Sequence, residues 1–504
     1  MNHVRRRSTM TGALMLASAL ALTGCFSAAG GTSADGGGGA RIRLAMAIAP
    51  IAALSPYSND ASDLTRWDAA ETLTQLDASG NPQPLLATSW KQIDDKTWDF
   101  AIRKGVTFQD GTKLDAKAVA DSLQKGLTAK SRPIVLDGVD MKLSTPDDAT
   151  VRIVTATPDP IMPERLSNPQ LVILSAAAYK SDGTVSPVGT GTGAFKITNV
   201  GGKSTATLDR YDGYWGPKAK ASGIDVTFAS DGTARAAALR SGSADIAESI
   251  PVSQIPLMDP KLLHQVAMPR TTSLYFNNSK GVFADPSMRA AARAALDVKA
   301  IVSGVYEGHG DAADGLFGPA IPWAKDLRGN TASAIAPGNP KGKQVTLATY
   351  TDRPELPEVA VLVQQQLEKA GFVVKQDIRQ YSNLSNDALH GAFDMVIGSR
   401  STVLDTGDPI GYLQGDYTCK ATGYVLAQLC NPQIDQAIAN ASLQKPGADR
   451  QKAIMGIEST LLQKDVLVPI VYEQAIQGEA AGVNGVVRDP YARLLITGDT
   501  TAAH

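Results

Sequence analysis

The stretch "QVTLATYTDRPELPEVAVLVQQQLEKAGFVVKQDIRQ", Gln344 to Gln380, decides the fold. Val345 to Tyr350 is a short run rich in β-forming residues, and Pro357 to Ala370 repeats apolar residues at helical spacing. Gly371 stands where that helix stops, because glycine enters the left-handed C′ conformation at little cost. Phe372 to Ile378 then reads as a second strand. A strand, a helix and a strand joined by short loops make a βαβ unit, which requires parallel strands and a right-handed crossover.

Downstream, "FDMVIGSRSTVLDTGDPIGYL", Phe393 to Leu413, begins with a buried strand around Met395, Val396 and Ile397. It runs into a polar loop that carries Asp405 and Asp408 before Pro409. Turn chemistry accounts for Asp, Gly and Pro in such a loop. A second reading follows from the sheet: ligands of open α/β sheets bind outside the carboxyl ends of the strands. Arg353 lies just past one strand end, in "YTDRPELP", and Asp405 and Asp408 lie past another. A fixed cation and an anion at one edge suit a zwitterion, since Arg offers a fork to a carboxylate and Asp accepts from an ammonium.

The amino terminus sets the compartment. "MNHVRRRSTMTGALMLASALALTGC" has three arginines, a short apolar run from Ala13 to Leu22, and "LTGC" ending at Cys25. A basic region, a short apolar region and small residues at the cut describe an export signal, too short for a stable membrane span. "LTGC" resembles a bacterial lipobox, which implies a lipidated Cys25 at the start of the mature chain, anchored to the outer face of the cytoplasmic membrane. "FSAAGGTSADGGGGA", Phe26 to Ala40, reads as a flexible tether.

Removing residues 1–24 takes away Arg5, Arg6 and Arg7 and no acid, which moves the formal charge from −2 to −5. That is mild for such a body, and no basic run argues for nucleic acid. Cys419 and Cys430 remain. Outside the cytoplasm an even remainder suggests one disulfide. A metal pair is the competing idea; it lacks ligands, because no C-x-x-C occurs and the nearest histidine in sequence is His390. No metal and no cofactor is expected.

No catalytic constellation assembles. "GTGTGAFKI", Gly189 to Ile197, runs into a strand rather than a helix N-terminus and lacks the G-K-[ST] ending of a phosphate loop, so it reads as a structural turn. "SLQK", Ser122 to Lys125, matches S-x-x-K without a following K-T-G. His264, His309 and His390 stand apart without metal-ligand spacing. The chain reads as a binding protein and not an enzyme.

Other segments alternate strand and helix. "KTWDFAIRKGVTF" places Trp98, Phe100 and Ile102 on one face of a strand. "DAKAVADSLQKGL" repeats Ala116, Val119, Ala120, Leu123 and Leu127 as an amphipathic helix with Asp115 as N-cap. "SMRAAARAALDVKAIVSGVY" reads as helix broken near Asp297. The length calls for two or three domains.

Taken in order, these segments resemble the peptide/nickel-binding family of bacterial ABC-importer solute-binding lipoproteins (extracellular solute-binding protein family 5). The resemblance rests on the segment from Glu71 to Leu123, on "GTGTGAFKI", and on "YDGYWGP", "ALRSGSADIAESIP" and "LYFNNSKGVFADPSMRAAARAALDVKAI". It covers nearly all of the mature body and is most similar to dipeptide-binding members. It implies an α/β, two-lobed periplasmic-binding-protein fold, class II-like and of cluster C, with a hinged cleft and an extra domain in the first lobe. The expected partition is 1–24 signal and 25–40 lipidated cysteine and tether. Lobe one takes 41–72, 187–270 and 476–504, its extra domain 73–186, and lobe two 271–475.

The resemblance also implies roles. Arg353 in "DRP" would hold the ligand carboxylate and Asp405 in "DTGDP" its ammonium, with Asp408 shaping the loop. The family's paired cysteines correspond to Cys419 and Cys430. Peptide-binding members carry a tryptophan soon after the strand before this loop, whereas Ser399 and Arg400 stand here, which implies a different pocket wall. The expected function is capture of dipeptides or short peptides and delivery to a membrane permease, by a monomer. The alternatives are a same-fold receptor for a metal chelate, a saccharide or another amine-bearing solute, and an envelope regulatory or scaffold lipoprotein.

Overall fold

In this computed structural model residues 39–403, 406–421 and 423–504 are described. Cys25, the signal segment, the tether through residue 38 and Asp405 lie outside them. The βαβ unit forms as its sequence requires. Strands Gln344–Tyr350 and Val373–Arg379 pair in parallel, and helix Glu355–Ala370 connects them, ending at Gly371 with φ 112°. Leu356, Val359, Val363 and Leu367 are the buried stripe of that helix, packed with Phe276, Val345 and Ile397 in one core cluster. Strand Met395–Ser401 lies parallel on the other side of Gln344–Tyr350. The loops holding Arg353 and Thr406–Pro409 therefore leave the same edge of the sheet.

One sheet runs through both halves of the chain. Next to Met395–Ser401 come the two longest strands, Leu263–Phe276 and Leu467–Glu479, antiparallel to each other. Beyond them follow Ile246–Ala247, Ile42–Met46, Gly223–Phe228, Thr205–Arg210 and Phe195–Gly201. The two long strands thus join a carboxyl-terminal half to an amino-terminal half. Their ladder breaks between Ala267 and Thr271, where Pro269 has no amide hydrogen to give. The freed Pro269 carbonyl accepts instead from Thr402, through the backbone N–H at 2.8 Å and the hydroxyl at 3.0 Å. That break aims the next residue, Arg270, at the sheet edge where the loops emerge.

A separate four-stranded antiparallel sheet is built from Ala87–Gln92, Thr97–Ile102, Thr150–Thr155 and Met141–Asp147. Trp98, Phe100 and Ile102 face its core as the alternation requires. Helix Ala116–Leu127 covers it, capped by the Asp115 carboxylate, which accepts from the Ala118 N–H at 2.9 Å. Gln109 ties this unit to the large sheet, its side-chain amide donating to the carbonyls of Ala69, Gly193 and Phe195. "GTGTG" is a packing device there: a Cβ at Gly191 or Gly193 would overlap the carbonyl oxygen of Ala69 or Asp68. The helix pair Pro286–Ala295 and Val298–Tyr306 breaks at Asp297, whose carboxylate caps the second helix through the Ala300 N–H. Among the described residues no helix is long and apolar enough to cross a membrane.

Two buried carboxyls make stability depend on pH. Burial raises Glu71 to about 7, although the indole of Trp215 and the hydroxyl of Tyr214 donate to it. Burial raises Glu164 to about 7 as well, and the charge of Asp408 adds to the effect. A carboxyl whose pKa rises on folding holds its proton more tightly in the native state. Its neutral form is therefore favoured, and stability falls as pH climbs from the unfolded value near ~4.3 through about 7. Glu164→Gln should nearly match the wild type near pH 4.5 and exceed it by on the order of 3 kcal/mol at pH 8. Thermal melts across that range check this; parallel curves would remove the assignment.

Candidate functional site

The site grows from a charged residue in an otherwise apolar strand, Glu473 of Leu467–Glu479. Its carboxylate is deeply buried, with 11% side-chain exposure. Oε1 accepts from the Thr272 hydroxyl at 2.7 Å and Oε2 from Nη1 of Arg353 at 2.8 Å. Burial alone would raise its pKa. The charges of Arg353 and Arg270 and hydrogen bonds from Ser399 and Thr272 outweigh that and hold it low. Glu473 therefore stays ionised and fixes the Arg353 loop to the strand joining the two halves.

Arg353 is anchored on one side only. Its side chain is 40% exposed, and the Nε–Nη2 edge makes no hydrogen bond among the described residues. That edge is the one a carboxylate engages with two parallel bonds. Arg270, half-buried on the adjoining strand, reaches the Ser399 hydroxyl at 3.2 Å and its carbonyl at 3.4 Å through Nη1. It forms no ion pair among the described residues. Burial, with the charge of Arg353 next in weight, pushes its pKa down, and Glu473 partly offsets this.

Ser399 and Arg400 do not leave the wall without aromatic rings. The Arg400 guanidinium meets Asp416 with two parallel bonds from its Nε–Nη2 edge, at 2.7 and 2.9 Å. It lies 3.9 Å from the Tyr424 ring centre, a stacked cation–π contact. Tyr424 stacks on Tyr381 at 6.4 Å, and Tyr381 meets Tyr350 edge-on at 5.1 Å. The Tyr350 hydroxyl accepts from the Ser399 N–H at 3.1 Å. A tyrosine row from three separate segments thus runs beside the arginines. Tyr424 belongs to the loop closed by the Cys419–Cys430 disulfide.

The expected residues fare differently. Arg353 stands at the strand end, beside Glu473. Asp405 lies outside the described residues. The Asp408 carboxylate accepts from the Ile410 N–H at 2.8 Å and binds Arg450 at 2.7 and 3.1 Å. Arg450, only 1% exposed, also donates to the carbonyls of Ala441, Ser442 and Gln444. Sequence reasoning missed Glu473, Arg270, Tyr381 and Tyr424. Two of these left a signal: a charge inside "LVPIVYEQAI" and another inside "VAMPRTTSLYF". Among the described residues no group of three or more His, Cys, Asp or Glu is placed to hold a metal ion. A separate cavity of about 320 Å³, lined in part by Asp68, Glu71, Tyr214, Trp215 and Arg493, shares none of these arginines.

Two halves joined by crossing strands thus bring the guanidinium groups of Arg353 and Arg270 together where a loop and a strand meet. The model of bacterial extracellular solute-binding proteins, family 5, matches residues 81–424. The chain belongs to that family, whose members are the exported substrate-binding components of ABC importers rather than enzymes. It is 27% identical over 384 residues to the nickel-binding protein NikA of Staphylococcus aureus, covering 74% of each chain. It is 25% identical over 459 residues to the glutathione-binding protein GsiB of Escherichia coli O1:K1 / APEC, covering 86% of this chain and 89% of that one. The crystal structure of a dipeptide-binding protein from Pseudoalteromonas sp. SM9913 in complex with Met-Leu superposes with a TM-score of 0.77 at 18% identity. That match covers 92% of this chain and 99% of the other, and it shows the shared two-lobed fold.

The disulfide is testable on its own. Closing a loop of sequence separation 11 should stabilise the body by about 2–3 kcal/mol. The Cys419→Ser, Cys430→Ser double variant should melt several degrees lower than the wild type, and a reductant should lower only the wild type. Equal melting with and without reductant would show that the bond contributes nothing.

Proposed function

We propose that this protein captures dipeptides or short peptides between its two lobes and delivers them to a membrane permease, tethered through a lipidated Cys25. The observation that carries the reading is Arg353: one side bound to Glu473, the carboxylate-binding edge open, at the end of a parallel strand. Its guanidinium would take the ligand's α-carboxylate. Asp405, in the loop that leaves the neighbouring parallel strand, would take the α-ammonium, and Asp408 would shape that loop through Arg450. In this reading lobe one comprises 41–72, 187–270 and 476–504 with 73–186 as its extra domain, and lobe two 271–475. Relatives named for dipeptide and glutathione binding support a peptide.

The physical logic selects free termini. Burying a carboxylate or an ammonium between closing lobes is costly unless each charge meets a partner, and closure draws its energy from contacts made only in the closed state. The row of Tyr350, Tyr381 and Tyr424 offers side chains an apolar wall with polar tips, which sets shape loosely.

Thermal melting against Ala-Ala, N-acetyl-Ala-Ala and Ala-Ala-amide tests this. A dipeptide at a hundred times its Kd should stabilise by about 2.7 kcal/mol, and either blocked form should give no shift. Arg353→Ala and Asp405→Asn should each weaken binding by about 2–4 kcal/mol, because the opposing ligand charge is left unpaired. Wild-type affinity in Arg353→Ala would rule out its carboxylate role. A shift only with nickel–histidine would replace the peptide reading by the chelate one.

A further inference from the structure

Arg270 has no task in the reading above, yet it is the guanidinium of the site without an ion pair among the described residues. The other two guanidinium groups are neutralised in place, Arg353 by Glu473 at 2.8 Å and Arg400 by Asp416 at 2.7 and 2.9 Å. Arg270 touches only Ser399, through one nitrogen at 3.2 and 3.4 Å, and its Nε and Nη2 make no hydrogen bond among the described residues. Glu355 adds a further negative charge beside Arg353, yet among the described residues no carboxylate meets Arg270, whose positive charge is half-buried and lies in the field of Arg353. Holding that charge there costs hydration and repulsion, and a second anion from the ligand is what offsets both. Arg270 follows the ladder break at Pro269, and its contact with Ser399 occupies Nη1 alone.

We infer that Arg270 is a specificity-determining residue that receives a second carboxylate, so that the preferred ligands are acidic peptides carrying two anionic groups rather than neutral dipeptides. This rests on the peptide reading, with Arg353 taking the first carboxylate and Arg270 the side-chain acid. A guanidinium suits the task because its fork meets a planar carboxylate at two points. A carboxamide of the same shape brings no charge and presents a donor to a donor, so the site discriminates between near-isosteres.

The test is calorimetric titration of the purified protein with Ala-Glu and Ala-Gln, and with Glu-Ala and Gln-Ala. The wild type should bind the acidic member of at least one pair tenfold or more tightly than its amide. Arg270→Gln should bring that ratio to within about twofold, while Arg270→Lys, which keeps the charge, should retain a severalfold preference. Equal binding of both members by the wild type, or an unchanged ratio in Arg270→Gln, overturns the inference and leaves the peptide reading standing. Should no dipeptide bind, the peptide reading falls, and glutarate beside its monoamide decides the arginine separately. A melting shift for the dicarboxylate that Arg270→Gln abolishes keeps the role; no shift removes it.

Discussion

The carboxylate of Glu473 is the constraint on which the site depends. It lies in the strand that joins the two halves, almost sealed from water, and a lone charge in that position would be several kcal/mol too costly to keep. Arg353 and Thr272 supply its contacts from a loop and from the opposite crossing strand. The strand-end loop of one half is therefore pinned to the element shared by both halves. A guanidinium held this way keeps one nitrogen occupied and aims the rest, which lowers the entropy a ligand must remove on binding. The same carboxylate attracts Arg270 from across the strand. A single anion thus orders the cationic edge without neutralising all of it.

Local features of the fold were legible because local rules fix them. Gly371 stops its helix in a left-handed conformation, and Asp115 and Asp297 cap the helices they precede. Trp98, Phe100 and Ile102 alternate inward on a strand with one wet face. What the sequence did not disclose is pairing between distant segments. Leu263–Phe276 and Leu467–Glu479 are neighbours in the sheet and some two hundred residues apart in the chain, and no period or turn signal relates them. The site divides in the same way. Arg353 follows a recognisable strand and sits in a polar loop, so its position could be reasoned. Glu473 and Arg270 sit inside strands, where a charge looks like an exception until its partner is known.

The aromatic wall shows how a substitution is absorbed by its surroundings. Reading "GSRSTV" alone suggests a pocket stripped of rings. The rings come from elsewhere, Tyr381 from a helix and Tyr424 from the disulfide loop, and Arg400 lies flat against the second of them. A planar guanidinium paired to Asp416 gives a stiff, flat surface much as an indole would, but one ringed with hydrogen-bond donors. The exchange alters the chemistry of the wall more than its shape.

Relatives on one architecture carry names for nickel, for glutathione and for dipeptides, so the architecture cannot be what selects the solute. Selection must come from the few groups at the sheet edge, and there the sign of the charge is a stronger filter than volume. A methylene too many in a loose, hydrated pocket changes affinity little, whereas an unmatched charge enclosed by closing lobes loses its water with nothing in return. Glu473 and Asp416 each pair with one arginine, and Arg270 is the guanidinium that meets no carboxylate among the described residues. Seen in this way, the specificity of the receptor is a property of its charge arithmetic. The tyrosines shape the wall loosely, and Arg270 sets what the ligand must carry.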